Sequence, residues 1–281
     1  MNINGYCTLA DYKLYTTARG QTASTDTNDD AVISDLITYA SRYIDTHSNR
    51  FYFPMVETHL FDLPYSYSED IILDGDLLAV TSFTNGDGVV ISSSDYLLKS
   101  TRPPYWAISL RDTSTVGWTT SAAGSVQQVL SLIGTWGYHD NYAARAWLQV
   151  GTLSAAITDT TTLAFSATTG HTIVAGNILK IGSEIYNVVT AGTNTITPVA
   201  RGDNGSTAAT HLISTAIYAW QPMEGAKESA LEIANSLYNK RFGKSTGDSA
   251  VITAAGVILT PQDIPSTAQA FIKKMERHAW R

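Results

Sequence analysis

The sequence predicts an α+β fold, because helical patterns lie towards both ends of the chain and strand patterns lie between them. Apolar side chains recur at three-and-four spacing along residues 30–45, 224–238 and 268–275, which indicates amphipathic helices. The stretches 56–138 and 147–220 instead carry short segments bounded by turn residues, as β-strands do. We therefore expect a helical frame from both chain ends with short β-strands and hairpins, plus an inserted all-β small barrel-like domain.

Two helices are predicted before residue 50. Thr8 and Asp11 have the spacing of a capping box, so a short helix should begin there. Asn28 or Asp29 can cap the second helix, and the polar stretch 21–28 before it is predicted to be a loop. The buried stripe of this second helix is predicted to contain Val32, Ile33, Leu36, Ile37, Ala40, Tyr43 and Ile44.

The first β-rich stretch contains two runs typical of turns. Asn85-Gly86-Asp87-Gly88 predicts a hairpin, because these residue types tolerate the positive φ that such turns require. Asp74-Gly75-Asp76 is predicted to be a tight turn, since it lacks the further oxygen ligands of a calcium loop. The predicted strands are 58–63, 71–73, 77–83, 89–91, 96–99, 106–110 and 126–136.

The second β-rich stretch, from Trp147 to Trp220, has few charges and is rich in Thr, Ala and Gly. Such a stretch is expected to form its own β unit, and a host domain tolerates it when its two ends lie close together. The predicted domains are therefore a discontinuous domain of residues 1–145 and 222–281, and an inserted β domain of residues 146–221.

Two more helices are predicted after the insert. The first starts near Pro222, stops near Gly243 and buries Ala226, Ala230, Ile233, Ala234, Leu237 and Tyr238. The last begins near Pro261 or Pro265 and turns Ala268, Phe271, Ile272 and Met275 inward.

The formal net charge of -7 is spread unevenly along the chain. Residues 1–145 hold 8 Lys/Arg against 16 Asp/Glu, residues 146–221 hold 2 against 3, and residues 222–281 hold 8 against 6. The acidic N-terminal part repels polyanions, so sequence-specific DNA binding is not expected. The basic cluster at the C-terminus consists of Lys273, Lys274, Arg277, His278 and Arg281.

The composition also argues against several classes of protein. The single cysteine, Cys7, cannot form an internal disulfide. We expect its side chain to be buried and to pack like a small hydrophobic residue. Neither a membrane span nor a secretory signal is apparent, so no membrane partner is expected. The motifs of phosphate-binding loops, zinc proteases and nucleophile elbows are missing. We therefore expect no enzyme activity, no cofactor and no metal.

The order of several elements resembles a known family. The sequence around Leu9-Ala10-Asp11 is followed by the helix 30–45, by His47-Ser48-Asn49-Arg50-Phe51, and by the segments 78–83, 103–111, 134–138 and 230–238. This order resembles the head-to-tail connector (adaptor, or head completion) proteins of tailed bacteriophages. The segments 176–186 and 199–211 are similar to small β modules that recur in phage structural proteins. A compact connector passes from the position of Tyr138 almost directly into its next helix, whereas this chain adds the stretch 146–221.

The resemblance implies a structural virion protein that forms a homo-oligomeric ring, usually a dodecamer, in the phage neck. The ring would join the portal of the head to the tail and extend the channel used for viral genome ejection. Its partners would be further copies of itself, the portal protein and the next neck or tail component, with DNA as passing cargo. It would be assembled in the host cytoplasm and end at the head–tail junction of the virion.

Candidate contact residues follow from this interpretation. The portal-docking candidates are Phe271, Lys273, Lys274, Arg277 and Arg281 at the basic C-terminus. A ring requires each copy to present two different, complementary faces. The ring-contact candidates are Ala226, Ala230, Ile233 and Leu237.

Two other classes of function stay open at this point. One is a different virion part, such as a tail terminator or a decoration protein. The other is a carbohydrate-binding or adhesion module, suggested by the Thr-rich insert and the abundant aromatic residues. Arg201-Gly202-Asp203 is the cell-adhesion tripeptide, but the glycines at 202 and 205 favour a turn there.

Overall fold

Helices and antiparallel sheets are both present in the computed structural model, in agreement with the predicted α+β class. The structure describes residues 2–18, 27–65, 70–242, 251–252, 258–259 and 264–277. The helices are α1 (Leu9–Ala18), α2 (Asp30–Ser48), α3 (Tyr142–Arg145), α4 (Glu224–Phe242) and α5 (Ser266–Met275). The strands are β1 (Met55–Phe61), β2 (Ile71–Thr84), β3 (Tyr96–Lys99), β4 (Tyr105–Leu110), β5 (Leu130–Trp136), β6 (Trp147–Thr152), β7 (Phe165–Ser166), β8 (Ile178–Ile181), β9 (Glu184–Ala191), β10 (Thr195–Pro198), β11 (Ala216–Trp220), β12 (Val251–Ile252) and β13 (Ile258–Leu259).

The chain divides into two compact units. The first contains Met1–Arg50, Leu148–Asp203 and Thr207–Arg281, and the second contains Phe51–Trp147 and Asn204–Ser206. The domain boundary predicted from the sequence, at residue 146, lies close to the boundary between the units at Trp147–Leu148. The prediction differs in placing the five-stranded sheet in the same domain as the helices. That grouping, and the insertion of 146–221 into a host domain, stay predictions.

The second unit is built on a five-stranded sheet with the order β1-β5-β2-β4-β3. One face carries the core, which includes Leu73, Phe83, Ile108 and Leu132. The predicted hairpin is confirmed: the Gly88 N–H donates to the Asn85 carbonyl, and Gly88 has φ +82°. The segment 89–91 forms only an isolated bridge, in which Val90 pairs with Thr84.

The prediction of a tight turn at Asp74-Gly75-Asp76 is wrong. These residues lie inside β2, where the pairing with β4 shifts register between Ile72 and Leu77. A β-bulge of this kind absorbs extra residues without ending the strand. The six-membered ring of Trp136 packs directly over Gly75, at a place where a side chain would not fit.

The first unit contains the helices α1, α2, α4 and α5 and a six-stranded sheet of order β6-β11-β8-β9-β10-β7. Helix α4 packs against α1, α2 and α5. The sheet has a separate apolar core, in which Leu179, Ile181, Tyr186, Ile196 and Ile217 are buried.

The starts of the first two helices show which capping predictions hold. The capping box is confirmed, because the Thr8 N–H donates to Asp11 and the Asp11 N–H donates to the Thr8 hydroxyl. Asp29 occupies the N-cap position of α2, but its side chain makes no capping hydrogen bond. Its carboxylate instead accepts a 2.6 Å hydrogen bond from the Tyr238 hydroxyl on α4.

Three sequence-based predictions fall outside the described residues. They are most of the loop predicted at 21–28, of which residues 21–26 are not described, and the helix boundaries predicted at Gly243 and Pro261.

Candidate assembly surfaces

Helix α5 presents a pair of basic residues to solvent. Ala268, Ile272 and Met275 are buried at a spacing of four and three residues, so they form the inner face of the helix. Lys273 and Lys274 follow Ile272 and are exposed. Two of the portal-docking candidates are therefore on an accessible surface.

The other docking candidates have different surroundings. Phe271 is half-buried and contacts α4, where a Cβ added to Gly225 would lie 2.5 Å from the phenyl ring. The Arg277 N–H donates to the Ser48 carbonyl at 2.8 Å, which ties the end of α5 to the end of α2. Phe271 and the Arg277 backbone thus support the position of α5. Arg281 and His278 lie outside the described residues.

The ring-contact candidates on α4 face the interior of the subunit. Ala226, Ala230 and Ile233 are fully buried, and Leu237 is half-buried. Small side chains let neighbouring helices approach closely, and α4 uses them against helices of the same chain. The three buried side chains are therefore occupied within the subunit and cannot reach a second copy.

A cluster of charged side chains lies at the start of β9. Glu184 is fully buried and accepts two hydrogen bonds from the Arg201 guanidinium, at 2.8 and 3.0 Å. His211 lies 3.0 Å from the same carboxylate. The backbone N–H groups of Gly202 and Ala209 also donate to it, at 3.0 and 2.9 Å. We call Glu184, Arg201 and His211 the Glu184 cluster.

The surroundings of Glu184 keep its carboxylate ionised. Burial by itself raises a carboxyl pKa, because it removes water from the charged form. The hydrogen bonds from Arg201, the Ala209 N–H and His211 outweigh burial and lower the pKa of Glu184 to about 2. At neutral pH the cluster therefore contains a paired carboxylate and guanidinium, and its hydrogen bonds hold the chain between residues 201 and 211.

Arg201 is also the first residue of the adhesion tripeptide, and its side chain is only 5% exposed. Its guanidinium further donates to the backbone carbonyls of Asp159, Thr162 and Ala209. Gly202 has φ +67°, as expected for the predicted turn. The arginine is therefore engaged inside the unit and is not presented to a receptor.

A loop tip beyond the Glu184 cluster exposes two large apolar side chains. Leu212 is 78% exposed and Ile213 is 59% exposed. Both sides of this tip are fastened: His211 and Ile157 exchange backbone hydrogen bonds, and the Ser214 N–H donates to the Leu153 carbonyl. We call Leu212 and Ile213 the apolar tip.

A half-open groove of about 330 Å³ lies beside α1 in the same unit. Its lining includes Leu14, Leu148 and Val174, which are 71%, 56% and 37% exposed. Asp11 and Lys227 also line the groove and form an ion pair at 2.6 Å. We call this feature the α1 groove.

Sequence reasoning missed the cluster, the tip and the groove. In the sequence, Glu184 and Arg201 are two of the few charges in the insert, and Arg201 also begins the Arg201-Gly202-Asp203 tripeptide, but no local pattern links the two residues. That scarcity was the available signal, because a charge retained in an apolar strand is usually paired. For the tip, the signal was Leu212-Ile213 within a run of Thr, Ser and Ala.

Two of the described histidines, His59 and His139, lie in separate surroundings in the second unit. His59 stacks on Trp136 and lies 2.5 Å from Asp74 and 3.1 Å from Glu57. His139 is buried and accepts from the Asn141 N–H. In the part of the chain that the structure describes, no group of three or more His, Cys, Asp or Glu side chains is placed to hold a metal ion.

The chain was compared with protein-family models, curated proteins and solved structures, and none of them matched. Among the described helices, none combines the length and apolar character that crossing a membrane requires.

Proposed function

We propose that this chain is a head-to-tail connector subunit of a tailed bacteriophage. Copies form a ring that docks beneath the portal, joins the head to the tail and extends the DNA exit channel. The observation that carries this proposal is the exposed Lys273–Lys274 pair on α5, a helix whose other face is fixed to the subunit. In a chain with a net charge of -7, this pair offers an acidic partner a local attractive surface.

The finer description of the fold belongs to the same proposal. A helical frame from both chain ends is supported by the packing of α4 against α1, α2 and α5. A barrel-like insert is supported by hydrogen bonds that link the continuations of its two edge strands, β6 and β7. The Ser154 N–H donates to the Ser166 carbonyl and the Thr168 N–H donates to the Thr152 carbonyl, both at 2.9 Å.

The expected mechanism is mechanical. An acidic ring binds DNA weakly, because few Lys and Arg side chains neutralise phosphates, so packaged DNA can slide through it. The ring is taken to contain twelve copies and to act without a cofactor, in the neck of the virion.

The test is electron microscopy of the purified protein, alone and mixed with portal rings of the same phage. We expect a ring that stacks coaxially on the portal. Lys273→Glu/Lys274→Glu should weaken portal binding at least tenfold, because it replaces attraction by repulsion. Arg102→Glu/Arg145→Glu is the matched control, since both arginines are exposed and the change in net charge is the same.

Two outcomes would contradict the proposal. A protein that stays monomeric in the presence of portal cannot be a connector ring. A ring of another symmetry that ignores portals and caps tail tubes would instead indicate a tail terminator. Equal portal binding by both double variants would show that α5 is not part of the docking surface. The electron micrographs would then decide separately whether the protein forms a ring.

A further inference from the structure

The first unit carries an apolar projection and an apolar recess at opposite ends of one strand. The apolar tip precedes β11 by three residues, whereas Ala219 and Trp220, at the end of β11, line the α1 groove. The two features therefore lie towards opposite ends of β11. A projection and a recess arranged in this way cannot meet within one copy, but they can meet between successive copies.

The apolar tip has the properties of a preformed binding element. Leu212 and Ile213 would both be stabilised by leaving water, since large parts of both side chains are exposed. The Glu184 cluster holds the base of the tip through His211. A tip that is already fixed loses little conformational entropy on docking.

The α1 groove offers a matching surface. Leu14, Leu148 and Val174 give it exposed aliphatic walls, and its volume accommodates two aliphatic side chains. The two charged residues in its lining, Asp11 and Lys227, neutralise each other.

Charge favours a second copy of this chain as the occupant. Copies with a net charge of -7 repel one another, so contact between them is easiest where each surface is neutral. Residues 204–223, which include the tip and all of β11, contain no Asp, Glu, Lys or Arg. The groove contributes only its internal ion pair.

We infer that the apolar tip of each copy inserts into the α1 groove of the next copy, and that this contact closes the ring. The inference rests on the proposed function, and it replaces the buried face of α4 as the ring contact. The contact is heterologous, because each copy gives its tip to one neighbour and its groove to the other.

The test measures the mass of assemblies of the full-length protein, alone and on portal rings, by mass photometry. A tip variant, Leu212→Asp/Ile213→Asp, and a groove variant, Leu148→Asp/Val174→Asp, should each lose at least nine tenths of the ring population. The decisive sample is an equal mixture of the two. The tip variant keeps its groove and the groove variant keeps its tip, so the mixture should form dimers of one copy each and nothing larger.

Val89→Asp/Val90→Asp is the control, because these valines are each 61% exposed in the other unit and should not affect assembly. Unchanged circular dichroism and melting temperature establish that each variant is folded. Rings that persist in folded tip and groove variants overturn this inference and leave the proposed function standing. Folded variants that fail to form dimers when mixed also overturn it. A wild-type protein that stays monomeric even with portal overturns both proposals.

Discussion

Arg201 donates two parallel hydrogen bonds to Glu184 in the interior of the first unit. They run from Nε to Oε1 at 2.8 Å and from Nη2 to Oε2 at 3.0 Å. A buried carboxylate is tolerated only when its charge and lone pairs are satisfied. Here Arg201 supplies the charge, and His211 with two backbone N–H groups supplies further contacts. The pair fixes the segment that leads to the apolar tip.

We predict that Glu184→Gln lowers the free energy of unfolding by about 3 kcal/mol, because it leaves the Arg201 guanidinium buried without its counter-charge. Urea denaturation at pH 7 measures this loss. Glu228→Gln makes the same chemical change at an exposed position of α4 and should alter stability by less than about 0.5 kcal/mol. An equal effect of the two substitutions would show that the cluster does not stabilise the fold.

The low pKa of Glu184 predicts a loss of stability in acid. The pKa is about 2 in the folded protein and near 4.5 when unfolded, so the unfolded state takes up the proton first as pH falls. The contribution is complete above about pH 5 and is lost progressively as pH falls from about 5 to about 1, with a size of about 3 kcal/mol. Denaturation midpoints from pH 2 to 6 measure the slope, and Glu184→Gln should flatten it. A slope that persists in the variant would assign it to other groups.

Asp45 on α2 should have the opposite effect. Burial raises its pKa to about 6, although Arg42, at 3.0 Å, and the Tyr6 hydroxyl both favour the ionised form. The folded state therefore holds this proton more tightly, and the associated stability is present below about pH 4 and lost as pH rises through 6. Asp45→Asn should raise the free energy of unfolding at pH 7 by about 1 kcal/mol. Denaturation of both proteins at pH 4 and pH 7 measures the effect, and an Asp45→Asn variant that is less stable than the wild type at pH 7 would contradict it.

The elements that the sequence predicts well are those that local rules determine. The stripe of α2 is one example, since Ile33, Leu36, Ile37, Ala40 and Ile44 are buried and only Val32 and Tyr43 of the predicted stripe are half-buried. The capping box at Thr8 is another, because its two partners are only three residues apart. Both depend on short-range spacing, which a sequence displays directly.

The elements that it misses depend on partners far along the chain. Asp74-Gly75-Asp76 has the composition of a turn, yet Trp136 covers Gly75 and keeps the segment in a strand. Ala226, Ala230, Ile233 and Ala234 of the α4 stripe are buried as expected, whereas Leu237 and Tyr238 are half-buried. Sequence cannot tell a partner helix of the same chain from one of a second copy. The Glu184 cluster joins residues 17 and 27 positions apart through turns whose course no local pattern fixes.

Gly75 offers a direct test of this long-range packing. A Cβ at residue 75 would lie 2.8 Å from the Trp136 ring, so Gly75→Ala should cost about 1–3 kcal/mol of unfolding free energy through overpacking. Gly192→Ala is the matched control, because its nearest contact, the Thr195 carbonyl oxygen, is an ordinary 3.5 Å away. The control should be neutral or stabilising by up to about 1 kcal/mol. If Gly75→Ala proves as stable as the control, Trp136 does not pack on β2 as described.

Cys7 gives a last prediction that needs no substitution. Its side chain is only 3% exposed, and burial raises the pKa of the thiol far above its usual range, with Asp11 adding to the effect. The thiolate is the reactive form of cysteine, so the folded protein should react with a thiol reagent at least a hundredfold more slowly than the unfolded protein. Absorbance of the released chromophore, with and without denaturant, measures both rates. Fast labelling of the native protein would mean that the chain around Tyr6 and Cys7 opens readily, and that this side of the α1 groove is not held rigidly enough to receive the apolar tip of another copy.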